Sequence, residues 1–168
     1  MESSRAGLVL AVTASIVFAA SATGARAQGA RTDDLAIVVN PATPVSQLTF
    51  GELRQVFMGD RQYWTPDQPV VLLVRAPTST ERDAVLNLIY QMREPQFKQY
   101  WIAKMFRAEA TASPKILISN QLTEQILAAT PGAIAFLPAA DVKPPLKILK
   151  IDGLLPGEPG YRLHLRHK

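Results

Sequence analysis

Residues 48–64, reading LTFGELRQVFMGDRQYW, constrain the fold more tightly than any other stretch of the chain. Thr49 and Glu52 make an S/T-x-x-E capping box, in which a hydroxyl and a carboxylate satisfy the first orphan N–H groups of a helix. Leu48 and Leu53 stand at the staple positions on either side of that cap. Phe50, Leu53, Val56 and Phe57 fall on one helical face, and Gly59 supplies the stop. Trp64 follows in a loop, where a large ring locks the chain against a core.

A helix with one apolar face needs a surface to bury it on, and apolar strands stand on both sides of this one in the sequence. Residues 35–39 (LAIVV) end at Asn40-Pro41, and residues 70–74 (VVLLV) run straight into Arg75. Thr78 and Glu81 match a second capping box, predicting a helix that buries Ala84, Val85, Leu88 and Ile89. Pro95 suits the first residue of a third helix, carrying Phe97, Tyr100, Trp101, Met105 and Phe106 to about Arg107. Residues 116–118 read as a short strand, and Ser119 or Asn120 caps a fourth helix with Leu122, Ile126 and Leu127 on its apolar side. AIAFL (133–137) and LKILKI (146–151) follow as further strands. Strands alternating with helices predict an α/β layered domain, a mixed central sheet flanked by about four helices.

The first residues stand apart from this pattern. Residues 8–20 are an uninterrupted, mostly apolar run behind Arg5, and Ala25-Arg26-Ala27 supplies an A-x-A site before Gln28. This is the layout of a secretory signal peptide cleaved after Ala27, and the run is short against the roughly 20 residues that cross a bilayer. The expected organisation is therefore a signal peptide (1–27), a linker (28–34), one domain (35–160) and a basic tail (161–168), placed in the periplasm. Cleavage removes Glu2, Arg5 and Arg26, lowering the formal charge of +4 by one. So mild a charge on a secreted chain argues against nucleic acid as a partner and for solvent, anionic headgroups or an acidic protein at the tail. The chain has no cysteine, so it has neither a disulfide framework nor thiolate chemistry.

Seven islands in order carry a resemblance: LAIVVNP (35–41), LTFGELRQVFMG (48–59), Trp64, VVLLVRAPTST (70–80), Tyr100-Trp101 with Phe106, TPGAIAFLP (130–138) and LKILKIDG (146–153). Together they resemble the phosphate-binding protein family of ABC transporters. That resemblance implies a periplasmic-binding-protein-like fold, an oxyanion such as phosphate as ligand, and an ABC permease as partner. Members of the family are usually two-lobed and close on the anion between lobes. About 140 residues match one lobe, the second, with its crossing strands.

In the family, the turn after the second apolar strand carries an arginine and a hydroxyl residue at a helix start, where N–H groups and the guanidinium fork attract an anion. Arg75 and Ser79 occupy those positions here, with Thr78 and Thr80 beside them. The family run looks like R-x-D-G-S-G-T, and this chain departs from it. Pro77 replaces the aspartate, Thr78 and Thr80 replace glycines, and Glu81 stands where a hydroxyl residue is expected. Two readings follow: a weakened oxyanion site on Arg75 and Ser79, or an ordinary helix start with Arg75 paired to Glu81 or another acid. The second makes the chain an envelope interaction or sensory module that has kept the fold without the ligand. Ser119 is a lesser contact candidate.

No catalytic set and no cofactor motif stands beside these residues. His164 and His167 lie in the basic tail, read as solvated, and Ser79 has no base. Asp33 and Asp34 read as linker charge, and nothing pairs Asp60 or Asp67 as an acid and base. Phe97, Tyr100, Trp101 and Met105 read as core. The expectation is a binding protein and not an enzyme.

Overall fold

The computed structural model describes residues 33–165. The expected signal peptide, its cleavage site, the linker up to residue 32 and residues 166–168 lie outside the described residues. The elements run β1 (Leu35–Val39), β2 (Gln47–Leu48), α1 (Phe50–Phe57), β3 (Tyr63–Thr65), β4 (Gln68–Pro69), β5 (Val71–Arg75) and α2 (Thr80–Val85). A π-helical turn (Leu86–Tyr90) extends α2. Then come α3 (Glu94–Phe106), β6 (Lys115–Leu117), α4 (Asn120–Ala129), β7 (Ala133–Pro138), β8 (Lys147–Ile148) and β9 (Lys150–Ile151), with a 3-10 turn at Ala139–Asp141.

Five strands form the central sheet in the order β6-β5-β7-β1-β8. β5 pairs parallel with β6 and with β7, while β1 pairs antiparallel with β7 and β8. The sheet is mixed, as expected. Both faces are covered over the inner strands, so β1 and β7 are apolar throughout and their two sets of side chains enter different cores. Leu35, Ile37, Val39, Ile134 and Phe136 face α1, the α2–π segment and α3. Ala36, Val38, Ala133, Ala135 and Leu137 face α4. The α4 side carries the smaller residues, and the other side takes the aromatics.

α1 forms as its sequence demands. The Thr49 hydroxyl accepts from the Glu52 N–H, the Glu52 carboxylate accepts from the Thr49 N–H at 2.8 Å, and Leu53, Val56 and Phe57 are buried. Gly59 takes φ +70°, and a Cβ there would stand 2.7 Å from the Trp101 ring, so the glycine both ends α1 and admits the indole. Trp64 is buried and donates its indole N–H to the Gly132 carbonyl at 2.8 Å. The Trp64 segment is not the plain loop expected, because β3 and β4 make a small hairpin there.

Other elements shift. α3 buries Phe97 and Trp101, but Met105 is partly exposed and Phe106 is 91% exposed. Ile102 and Phe106 fall on the helix face away from Phe97 and Trp101, while Met105, on the same stripe one turn after Trp101, lies in the last turn of α3, so the expected core role of Met105 is only partly met. The linker charge and the solvated tail are also corrected within residues 33–165. Asp34 is buried, accepting from the Gly157 N–H at 2.5 Å and lying 2.6 Å from His164 Nδ1. Tyr161 and Leu163 are buried; the Tyr161 hydroxyl donates to the Leu35 carbonyl at 2.7 Å, and the Leu35 N–H donates to the Leu163 carbonyl. The basic character of the tail hid an apolar alternation, Tyr161 and Leu163, that closes the edge of β1.

Asn40 performs a task that its sequence context concealed. Buried at the end of β1, it donates to the Leu127 and Ala128 carbonyls at 2.7 and 3.0 Å, satisfying the last turn of α4. Among the described residues no helix is long and apolar enough to cross a membrane.

Gly132 marks the tightest backbone approach. It has φ +78°, and a Cβ would stand 2.2 Å from the Pro69 carbonyl oxygen. Gly153 has φ +81° with nothing within 4 Å. Gly132→Ala is expected to cost about 2–5 kcal/mol from backbone strain plus the clash, against about 1 kcal/mol for Gly153→Ala from strain alone. Urea denaturation of the two variants measures the difference, and equal losses would mean that the β4–β7 approach yields freely.

Candidate functional site

The turn between β5 and α2 lies at the carboxyl end of the parallel strands, where open α/β sheets commonly bind ligands. Arg75 is the last residue of β5, and strand alternation puts its side chain on the face of Leu73, toward α4. It is 9% exposed. Its guanidinium donates one hydrogen bond, from Nη1 to the Leu117 carbonyl at 3.1 Å, and its buried Nε has no partner. The expected pairing of Arg75 with Glu81 is not formed, and among the described residues Arg75 makes no salt bridge. Glu81 instead accepts from the Asn120 side-chain amide at 3.0 Å, and that amide also reaches Asp141 at 3.3 Å. Asn120 Oδ1 is buried without a partner.

The helix start sits one residue later than expected. Ser79, not Thr78, is the N-cap of α2, its hydroxyl accepting from the Arg82 N–H at 3.2 Å. This moves Glu81 out of the third helical position, so the Thr78–Glu81 capping box does not form. Thr78 has φ +76° and is exposed. A β-branched residue there is strained by about 1–3 kcal/mol. The turn thus keeps the conformation that a glycine would take at the position where the resemblance expects one. Thr80 is exposed as the first residue of α2. Arg75, Thr78, Ser79 and Thr80 are brought together by chain continuity around this turn, with Glu81 beside them. Ser119, the lesser candidate, caps α4 by accepting from the Leu122 N–H at 3.1 Å.

The residue that supports the turn was missed in the sequence. Arg82 is 1% exposed. It forms a two-pronged pair with Glu94 at 2.7 and 2.9 Å, donates to the Arg75 carbonyl at 2.6 Å, and lies 4.6 Å over the Phe97 ring. Its signal was present: Arg82, Val85, Leu86 and Ile89 share i, i+3, i+4, i+7 spacing, which sets a cation on the buried stripe. Lys104 repeats the pattern behind Phe97, Tyr100 and Trp101. It is buried, ion-paired with Asp60 and bonded to the Tyr100 hydroxyl at 3.1 Å. Asp60, expected to stand alone, is the partner of a core lysine.

Two pKa directions bear on this support. Hydrogen bonds from Arg82 hold the Glu94 carboxyl below its ordinary value, against a smaller opposing effect of burial. Burial opposes the charge on Lys104, but hydrogen bonds to Asp60 and Tyr100 outweigh it and leave its pKa raised. Among the described residues no three His, Cys, Asp or Glu side chains are grouped to hold a metal.

No protein-family model matches the sequence. Solved structures do match. A Clostridium perfringens structure designated a phosphate ABC transporter substrate-binding protein, with phosphate bound, aligns at TM-score 0.60 and 20% identity, over 74% of this chain and 47% of its own. An ABC-type phosphate transport receptor from Vibrio cholerae aligns at 0.59 and 20% identity, with 74% and 49% covered. PstS from Borrelia burgdorferi aligns at 0.57 and 17%, with the same two coverages. At these identities the likeness is one of fold. The chain has the mixed α/β fold of the phosphate ABC transporter substrate-binding proteins, and it spans about half the length of these three. All three are binding proteins.

Two measurements probe the turn and its support. Thr78→Gly relieves the left-handed strain and is expected to raise stability by about 1 kcal/mol, read by urea denaturation; a loss would show that the side chain has a compensating contact. Glu94→Gln leaves the buried Arg82 charge uncompensated, at a cost of about 2–4 kcal/mol at neutral pH. Because the Glu94 pKa is depressed, its stabilisation is fully present above the ordinary value of 4.5 and is lost as pH falls through the lower folded value. The gap between wild type and Glu94→Gln should therefore close in melts taken progressively below that pH; a gap unchanged under acid would rule out the carboxylate charge as its cause.

Proposed function

We propose that this chain is a periplasmic, substrate-binding-protein-like lobe that recognises phosphate or a related oxyanion at the β5–α2 turn. The observation that carries this reading is Arg75. A cation nine-tenths buried and without an acid partner is costly, by several kcal/mol if left uncompensated. An anion at the turn would supply the missing charge and accept from the guanidinium. Ser79 and the N–H groups that open α2 add further donors, and the positive φ of Thr78 gives the turn the backbone conformation that glycine would take. Phosphate, bound in the Clostridium perfringens structure that shares this fold, is the first ligand to test.

Glu81 limits the affinity. Like charges about 4 Å apart repel by about 4 kcal/mol at an effective dielectric near 20, so a carboxylate beside the turn favours weak binding. Delivery of the anion to an ABC permease belongs to the same reading, as the task of proteins with this fold that bind phosphate for transport.

Isothermal titration of residues 28–168 with phosphate should show saturable heat in the millimolar range or below. Arg75→Ala should remove it, and Glu81→Thr should raise the affinity by about tenfold or more through the lost repulsion. Absence of both heat and thermal stabilisation at millimolar phosphate, in wild type and in Glu81→Thr, would overturn the assignment.

A further inference from the structure

At the far end of β5 from Arg75 lies a cavity of about 260 Å³, between α1, the start of β5, α3 and the α3–β6 loop. It exceeds the ~150 Å³ apolar cavity that suffices to hold benzene. Val56, Val70, Leu72 and Trp101 give it aliphatic and aromatic walls. Gly59 matters here because any Cβ would strike the indole that lines the space.

The walls are held apart by hydrogen bonds. The Gln62 side chain donates to the Glu109 carbonyl at 2.9 Å and accepts from both the N–H and the hydroxyl of Thr111 at 3.0 and 3.1 Å. The Gln62 carbonyl accepts from the Val70 N–H at 2.8 Å. One glutamine thus fixes the α3–β6 loop on one side and the entry to β5 on the other, so the cavity is pre-formed.

Its charge is one-sided. Among the described residues Arg61 and Lys115 are the only charged ones lining it, and no carboxylate does. Arg61 is loosely committed, with a long hydrogen bond to the Tyr63 carbonyl at 3.5 Å, Glu52 at 3.9 Å and the Trp64 ring centre at 5.4 Å. Lys115 is exposed and makes no salt bridge among the described residues. The neighbouring acid Glu109 is engaged by Arg107 at 2.7 and 3.1 Å.

We propose that this cavity binds a small amphipathic carboxylate, its apolar body against Val56, Leu72 and Trp101 and its carboxylate between Arg61 and Lys115. Apolar walls with few placed polar groups are the usual form of small-molecule sites. A bare, strongly hydrated oxyanion has nothing to offer the apolar walls, so the ligand class differs from that at Arg75. The two sites stand or fall separately: the cavity is lined by Val70, Val71 and Leu72 at the start of β5, whereas Arg75 stands at its end and does not line the cavity.

The test is calorimetric titration of residues 28–168 with octanoate, and with 1-octanol as the neutral probe of equal chain length. Octanoate is expected to bind saturably and about tenfold or more tighter than octanol. Arg61→Gln with Lys115→Gln should remove most of that preference. Ala112→Trp, at an exposed lining residue whose new side chain fills the space, should weaken both probes by about tenfold or more. Phosphate should not compete. No saturable octanoate heat, equal binding of the two probes, or full binding to the Ala112→Trp variant would each overturn the proposal.

Discussion

The Arg82 guanidinium holds the end of β5 in place. It reaches the Arg75 carbonyl from α2, grips Glu94 at the start of α3, and lies on Phe97. A buried charge of this kind adds little net stability by itself, because the cost of removing water from both ions largely offsets their attraction. Its value is positional. The planar fork tolerates few geometries, so β5, α2 and α3 are set relative to one another by one side chain. Phe97 meets Tyr90 edge-on at 4.9 Å, and Tyr90 meets Phe57 at 6.1 Å, so the aromatic core continues from that fork to α1.

Arg75 and Arg82 are seven residues apart, both buried, and opposite in circumstance. One has a carboxylate and a carbonyl; the other has a single carbonyl and an unpartnered Nε. The contrast separates scaffold from candidate site more clearly than either residue alone. It also falls where the sequence departs from the pattern that it resembles: Arg75 ends the strand and Thr78 has a left-handed backbone, with Pro77 and Glu81 as the differing side chains beside them.

How much was legible in the sequence depended on how local the determinants are. α1 could be read in full, because its cap, staple, apolar face and stop lie within twelve residues and all agree. β1 and β7 announced themselves as unbroken apolar runs. The start of α2 was misread because two hydroxyl residues compete to cap it. Thr78 fits the box on paper, yet the turn forces Thr78 to positive φ and leaves the cap to Ser79. The π-turn, the β3–β4 hairpin and the role of Asn40 depend on partners far along the chain, which no local period reports. At the candidate site, the sequence and its resemblance pointed to Arg75 and Ser79 as candidates. They did not show that Arg75 lacks an acid among the described residues, since a missing partner is a fact of three dimensions.

The segment that closes β1 has a mechanical consequence. The Leu165 N–H donates to the Asp33 carbonyl at 2.6 Å, and Asp34 and His164 form an antiparallel bridge. The polypeptide therefore enters and leaves the described fold at one point. Tension applied between residues 33 and 165 would open this ladder one hydrogen bond at a time, like a zipper, and never load several bonds in parallel. The lobe should resist heat through its two cores, yet yield to a modest pull at this seam. The seam is then the place where a tether on either side of the fold would first be felt.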